Sequence, residues 1–332
     1  MQLPSYRKYF LICAIAMAAA VWGFGGPSLA RGQQSGPQVT IAPRPKAVVK
    51  EEALPKANIR SDVNMVLIPV TVTDPMNRFV TGLEKDYFKV FEDKKQQVIT
   101  QFSSEDAPVS VGLLFDCSGS MGSKLRSSRE AVAQFFKTAN PEDEAFLVQF
   151  HDTADLAVKF TNSLEEIQNH LQFTNSKGMT ALLDAIYLGM HEMKNAHNPR
   201  KALLVISDGG DNDSRYSERE TRAMLEEADV PVYALGIYAR GAQTLPEEER
   251  GGPKLLTGLA DKSGGRHFAV SSANELPEAA AKIGVALRSQ YILAYSPVNG
   301  AADGKYRRVQ VKLVERRDLH LSWRPGYFAP LR

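Results

Sequence analysis

Beyond residue 108, strand-like runs of apolar residues alternate with amphipathic helices, and this alternation constrains the fold of the 332-residue chain most strongly. Residues 109–115 are nearly all apolar, which is typical of a strand covered on both faces. Further strands are predicted at 145–150, 202–206, 230–237 and 267–270, and helices at 125–136, 164–173, 180–194, 217–228, 255–262 and 276–288. This order predicts an α/β fold with a doubly wound, mostly parallel sheet covered by helices.

Strand patterns without helices flank this region on both sides. They lie at 63–72, 87–92 and 97–102 upstream, where the last two form a predicted hairpin, and at 291–295, 306–314 and 319–323 downstream. Each side offers too few strands for a dependable core of its own. We therefore predict a flanking all-β unit built from residues 60–106 and 291–329, with the α/β domain, residues 107–290, inserted between its halves.

The N-terminal residues resemble a targeting segment. Residues 1–30 contain two basic residues, then an uncharged apolar run, then small residues before a candidate cleavage site. This pattern predicts a secretory signal peptide and a secreted or periplasmic protein. The alternative is an uncleaved N-terminal anchor, because residues 9–30 carry no charge. Residues 31–58 are rich in proline and polar residues, which predicts a flexible linker.

The charge balance and the cysteine content exclude two further features, a nucleic-acid partner and an internal disulfide. The chain has 40 Lys and Arg against 38 Asp and Glu, and removal of the predicted signal peptide leaves 38 of each sign. This balance argues against a nucleic-acid partner. Only Cys117 lies outside the predicted signal peptide, so the exported chain cannot form an internal disulfide. Strand alternation predicts that the Cys117 thiol points into the sheet, away from the side chains beside it.

Polar side chains gather where predicted strands end. Asp116, Ser118 and Ser120 follow the first strand of the α/β region, Thr180 begins a predicted helix, and Asp208 follows a later strand. Ligands of doubly wound sheets bind at this carboxyl edge. Two carboxylates and three hydroxyls form an all-oxygen donor set for a hard divalent cation. Each residue alone is equally typical of a turn or a helix cap, but their joint spacing favours a metal site.

The same five residues carry a family resemblance. Asp-x-Ser-x-Ser at 116–120, the later Thr180 after a Gly-x pair, and Asp208 resemble the metal-ion-dependent adhesion site (MIDAS) of von Willebrand factor A (VWA) domains. The resemblance covers residues 108 to about 289 and implies a Rossmann-like fold with Mg²⁺, or Mn²⁺ or Ca²⁺, as cofactor. In the family's pattern Ser118 and Ser120 bind the metal directly, and Thr180 does so directly or through water. Both aspartates bind mostly through water.

The flanking segments also resemble a bacterial subfamily. Residues 80–83, Val-Thr-Gly-Leu, and residues 324–327, Arg-Pro-Gly-Tyr, are similar to segments of the acidobacterial VWFA-related proteins.

The resemblance and the donor set together imply a binding module rather than an enzyme. Neutral hydroxyl ligands leave the cation electron-poor and ready to accept an anionic oxygen. We expect an exported, Mg²⁺-dependent, adhesion-type module that captures an Asp or Glu of a partner protein. The alternatives are a metal-dependent hydrolase or phosphatase with Asp116 as nucleophile, and a scaffold stabilised by the metal. Residues 240–253 are expected to be either a solvated acidic loop or a specificity-determining rim of the site.

Overall fold

The computed structural model describes residues 65–76, 78–104, 106–238, 247–316 and 318–331. The predicted signal peptide and linker lie outside the described residues and stay predictions. Within the described residues, no helix is long and apolar enough to span a membrane.

Fourteen strands and six α-helices make up the described fold. The strands are β1 (Val66–Thr73), β2 (Phe88–Glu92), β3 (Lys95–Gln97), β4 (Ile99–Ser103), β5 (Val109–Asp116), β6 (Glu144–Phe150), β7 (Ala154–Thr161), β8 (Arg200–Ser207), β9 (Val232–Ile237), β10 (Arg266–Val270), β11 (Tyr291–Tyr295), β12 (Tyr306–Leu313), β13 (His320–Trp323) and β14 (Gly326–Phe328). The helices are α1 (Leu125–Phe136), α2 (Leu164–Gln172), α3 (Leu182–Glu192), α4 (Glu218–Glu227), α5 (Glu247–Ser263) and α6 (Leu276–Arg288).

A six-stranded sheet forms the centre of the α/β domain, in the order β10-β9-β8-β5-β6-β7. Its neighbouring strands are parallel except for β6 and β7. Every residue of β5 is buried, because apolar side chains of α1, α2 and α6 cover one face and those of α3, α4 and α5 cover the other. This mostly parallel, two-sided sheet confirms the predicted α/β fold class.

Two elements of the α/β domain differ from the sequence prediction. β7 was not predicted, since it is a partly exposed edge strand with only Val158 buried and therefore lacks a clear apolar pattern. α5 begins at Glu247, although the prediction began it at residue 255. The start of α5 falls in residues 240–253, which follow a strand and carry a run of charges, and the sequence therefore favours a loop there. Gly251, Gly252 and Pro253 are also weak helix formers, so no helical pattern marks this start.

The flanking strands form two antiparallel sheets, in the orders β13-β1-β11-β4 and β14-β12-β2-β3. Each sheet combines strands from before and after the α/β domain: Ile68 pairs with Leu293 in one, and Val90 with Val311 in the other. These four side chains share one hydrophobic core. The all-β unit predicted from the two chain segments is therefore present, while the domain boundaries themselves stay predictions.

The predicted hairpin at 87–102 is only partly correct. β2 and β3 pair through a turn at Asp93 and Lys94, whose φ values of 46° and 69° match a two-residue hairpin turn. The predicted second strand, however, breaks at the exposed Val98, and β4 pairs with β11 in the other sheet. A segment that passes from one sheet to another still has one continuous β pattern in the sequence. The sequence therefore does not indicate the break at Val98. β14, three residues long, was also not predicted.

Candidate metal site

The candidate site lies at the point where the strand order of the central sheet reverses. β5 and β8 are parallel neighbours, and their carboxyl ends carry Asp116 and Asp208. The chain leaves β5 toward α1 on one face and leaves β8 toward α4 on the other. A crevice between two such diverging loops is the usual ligand site of doubly wound sheets.

Asp116 is fully buried, and both of its carboxylate oxygens accept hydrogen bonds. Oδ1 accepts from the Ser118 backbone N–H at 2.8 Å, and Oδ2 accepts from the Ser207 hydroxyl at 2.6 Å. Burial, together with the negative charge of Asp208, raises the pKa of Asp116 to about 6. The two carboxylates are therefore close enough to repel each other, which favours a cation between or beside them.

Ser118 and Ser120 present their hydroxyls to each other, with 3.1 Å between the two Oγ atoms. Ser118 is buried and Ser120 is exposed. A short 3-10 turn, Gly119–Met121, connects them to α1, and the fully buried Met121 anchors that turn in the core. The buried Met121 thus fixes the turn that carries the two hydroxyls, and the Ser120 hydroxyl remains accessible to solvent.

Thr180 is buried and held through its backbone. Its N–H donates to Oδ1 of Asn212 at 2.8 Å, and its carbonyl accepts from the backbone N–H groups of Asn212 and Asp213 at 3.0 and 3.1 Å. The loop before it is fixed by Asp152, whose Oδ1 accepts from the Met179 N–H at 2.6 Å. These bonds set the position of Thr180 before any ligand binds.

Gly178 is required in that loop for two reasons. Its φ of +70° lies in the left-handed region that favours glycine, and a Cβ there would lie 2.3 Å from Oδ1 of Asp152. Its carbonyl accepts from the Gly119 N–H at 3.0 Å, and the Lys177 N–H donates to the Cys117 carbonyl at 2.8 Å. The loop that carries Thr180 is therefore bonded directly to the loop that carries Ser118 and Ser120.

Asp208 is almost completely buried and forms an ion pair. Its Oδ2 accepts from Nζ of Lys124 at 2.7 Å. A Cβ placed on Gly210 would lie 3.6 Å from Oδ1 of Asp208 and 3.8 Å from Oγ1 of Thr180, so these two oxygens border the same small space. The structure thus places all five predicted site residues at one edge of the sheet.

The donor set fits a hard divalent cation. Among the residues that the structure describes, no three or more His, Cys, Asp or Glu side chains are grouped to hold a metal ion. The candidate site instead offers two carboxylates and three hydroxyls, the oxygen ligands that Mg²⁺ and Ca²⁺ accept. The Lys124 ammonium is the feature of the site that opposes a bound cation.

Four residues of the site were missed in the sequence. Ser207 lies directly before Asp208, and Asp152 and Asn212 lie in loops that follow β6 and β8, so the position of these loops at the carboxyl edge was the available signal. Lys124 gave no signal, because a lysine at the start of an amphipathic helix is typical of a solvated surface. Cys117 is buried in the core as predicted, and burial raises the pKa of its thiol to about 12.

Residues 111–210 match the family model of the von Willebrand factor type A domain. No curated protein matches the sequence. Among solved structures, BatB from Bacteroides thetaiotaomicron is 18% identical, with 54% of this chain and 98% of that chain covered and a TM-score of 0.42. A von Willebrand factor type A protein from Catenulispora acidiphila is 13% identical, with 82% and 75% covered and a TM-score of 0.48.

The vWF domain of the type V pili tip protein Mfa5 from Porphyromonas gingivalis is 11% identical, with 54% of this chain and 95% of that chain covered and a TM-score of 0.44. The family match spans the segment that contains all five site residues, Asp116, Ser118, Ser120, Thr180 and Asp208. The match relates residues 111–210, which contain β5, β6, β7 and β8 of the doubly wound sheet, to the von Willebrand factor type A family.

Proposed function

We propose that the VWA domain of this chain is an exported protein-binding module that uses a divalent cation, Mg²⁺ in the first place, to capture an acidic side chain of a partner. The observation that carries the proposal is the convergence of five oxygen-bearing side chains at the strand-order reversal. Ser118, Ser120 and Thr180 would hold the cation, with Asp116 and Asp208 behind them. The bound cation would supply a positive charge to which a carboxylate can bind.

The accessibility of the donors supports this role. Asp116 is buried and its two oxygens already accept hydrogen bonds, whereas Ser120 is open to solvent. The candidate ligand on the solvent side is therefore a neutral hydroxyl, and the charge of the cation remains available to an incoming anion. An acidic residue of a partner reaches the site from the side of Ser120.

Two exposed apolar side chains in the segment that leads to Thr180 support a protein as partner. Phe173 is 83% exposed and Met179 is 53% exposed, and both lie in the loop that leads to Thr180. The same loop carries the exposed Lys177, and backbone hydrogen bonds fix it to the loop that carries Ser118 and Ser120. A rigid loop loses little conformational entropy on binding, so its apolar side chains are suited to contact residues that flank the partner's carboxylate.

Helix α5 lies against the turn that follows Asp208. A Cβ on Gly209, whose φ is +80°, would lie 2.7 Å from the Cα of Gly252, so the helix backbone crosses the turn that follows Asp208. This contact favours the specificity-rim interpretation of residues 240–253 over the solvated loop. Residues 239–246 lie outside the described part of the chain, and their role stays a prediction.

The burial of Asp116 argues against the enzyme alternative. A nucleophilic carboxylate must reach its substrate, but the Asp116 oxygens are enclosed and bonded to the Ser118 backbone and the Ser207 hydroxyl. We therefore propose a non-catalytic role for this residue, which orients the loops of the site.

A capture experiment tests the proposal. The purified protein is immobilised, exposed to envelope extract in Mg²⁺ or in EDTA, and compared with Ser120→Ala. Ser123→Ala is the matched control, because Ser123 is an exposed serine of the same loop region. We expect a retained protein in Mg²⁺ with the wild type and with Ser123→Ala, and its loss in EDTA and with Ser120→Ala. Retention of the same protein in EDTA and by Ser120→Ala would contradict the proposal. Metal binding without metal-dependent retention would favour the scaffold alternative.

A further inference from the structure

Lys124 is a cation built into the candidate site. Its Nζ lies 2.7 Å from Oδ2 of Asp208, and the two side chains are only 16% and 3% exposed. The ammonium therefore contacts an oxygen of a carboxylate that is also a candidate metal ligand. Ion pairs with so little exposure are weakly screened by solvent and salt.

The backbone around Lys124 is firmly held. The Lys124 N–H donates to the Met121 carbonyl at 2.8 Å, and its own carbonyl accepts from the N–H and the hydroxyl of Ser128 at 2.9 and 3.0 Å. Met121 and Ser128 are both fully buried. The backbone of Lys124 is thus fixed next to the loop that carries Ser118 and Ser120. The side chain reaches Asp208 from this fixed position.

Nearby charge explains why a cation is needed there. Asp116 ends β5 and Asp208 directly follows the neighbouring parallel strand β8, and both residues are buried. Two buried carboxylates without a counter-ion would be strongly destabilising. Lys124 supplies one positive charge, which offsets part of this repulsion but leaves the pair of carboxylates with excess negative charge.

We propose that Lys124 is the internal counter-ion of Asp208 and that it sets the divalent-cation affinity of the site by competing for the Asp208 carboxylate. This inference rests on the proposed function, because it concerns the same metal site. A divalent cation that draws on Asp208 has to share this carboxylate with the ammonium or displace it. The positive charge of Lys124 also repels the cation directly. The lysine therefore holds the site together while it lowers the affinity for metal.

Calorimetric titration with MgCl₂ tests the inference. The purified wild type is compared with Lys124→Met, with Lys124→Gln as a polar second variant, and with Arg126→Met as matched control. Arg126 lies two residues further along, its side chain is 91% exposed, and it pairs with Glu130 instead of Asp208. We expect both Lys124 variants to bind Mg²⁺ about tenfold more tightly than the wild type. Arg126→Met should bind like the wild type.

A second readout does not depend on bound metal. In EDTA, urea unfolding is measured for the wild type, Lys124→Gln, Asp208→Asn and the double variant. We expect each single change to destabilise the fold and the double variant to be more stable than additive losses predict, which is the signature of a direct ion pair. Additive losses would overturn the assignment of Lys124 as counter-ion.

The outcomes separate the two proposals. Equal or weaker Mg²⁺ affinity in both Lys124 variants, with clear binding by the wild type, overturns the inference and leaves the proposed metal site intact. Binding by the Lys124 variants alone supports competition by the lysine but contradicts Mg²⁺ binding by the native site. An absence of Mg²⁺ binding in the wild type and in both variants contradicts the inference and the proposed metal site together.

Discussion

The hydroxyl of Ser207 donates a hydrogen bond of 2.6 Å to Oδ2 of Asp116, and this bond joins the ends of two parallel strands, β8 and β5. The same oxygen of Ser207 accepts from the Gly209 N–H at 2.9 Å. Ser207 therefore links the carboxylate of the first site loop to the turn that carries Asp208. Because it is fully buried, water cannot replace either bond.

Ser207→Ala should lower both stability and metal affinity. Loss of a buried hydrogen bond to a charged group costs about 2 kcal/mol, and the Gly209 N–H loses its acceptor as well. Urea unfolding and Mg²⁺ titration measure the two effects, with Ser123→Ala as an exposed control. A variant as stable as the wild type, with unchanged affinity, would show that Ser207 does not hold the two strand ends together.

Gly178→Ala should distort the loop before Thr180. The alanine must adopt a φ of +70°, and its methyl group would lie 2.3 Å from the carboxylate of Asp152. We expect a loss of about 1–2 kcal/mol in the free energy of unfolding and weaker Mg²⁺ binding. Gly300→Ala is the control, since a Cβ there meets no atom within 4 Å. Equal behaviour of the two variants would contradict the account of this loop.

The Cys117 thiol should react slowly in the native protein. Burial raises its pKa to about 12, with a smaller contribution from the charge of Asp116, so the reactive thiolate is scarce at neutral pH. Labelling with a thiol reagent should be slow under native conditions and fast in urea. Fast native labelling that also prevents metal binding would place the thiol toward the site instead of the core.

His267 should make stability depend on pH. The Thr257 hydroxyl donates to the Pro253 carbonyl at 2.7 Å, so it accepts from Nδ1–H of His267 at 2.8 Å, and the free Nε2 accepts from the Tyr238 hydroxyl at 3.0 Å. This neutral tautomer agrees with a pKa of His267 that is lowered mainly by burial, although the charge of Asp261 opposes the shift.

The sign of the effect follows from linkage. A histidine with a lowered pKa in the folded state contributes stability that is present above its unfolded pKa of about 6.5 and is lost as pH falls through the folded value. Urea unfolding between pH 8 and pH 5 should show this loss in the wild type, and His267→Gln should reduce the slope. An identical pH profile for the two proteins would contradict the assigned protonation state.

The fold class could be predicted from the sequence, and so could the position of the five site residues at one edge of the sheet. The continuous apolar run of β5 is readable because both faces of this strand are covered, and Asp116 and Asp208 follow strands whose carboxyl ends must meet at one edge. Local patterns of this kind depend only on strand burial and direction.

Other features depend on tertiary contacts that leave no local pattern. The change of sheet at Val98 occurs inside one uninterrupted β-like segment, and β7 has only one buried residue. The pairing of Lys124 with Asp208 joins residues 84 positions apart, and nothing near either residue indicates it. Such contacts form only in the folded chain, so local sequence patterns do not predict them.

The titration of purified protein with MgCl₂, by calorimetry, tests the central claim most directly. Asp116→Asn keeps the shape of the side chain but removes its charge, and Asp213→Asn makes the same change at an exposed position of the same edge. We predict saturable binding by the wild type and by Asp213→Asn, and at least a tenfold loss of affinity in Asp116→Asn. Equal affinity in all three proteins, or no saturable binding by the wild type, would contradict the metal site.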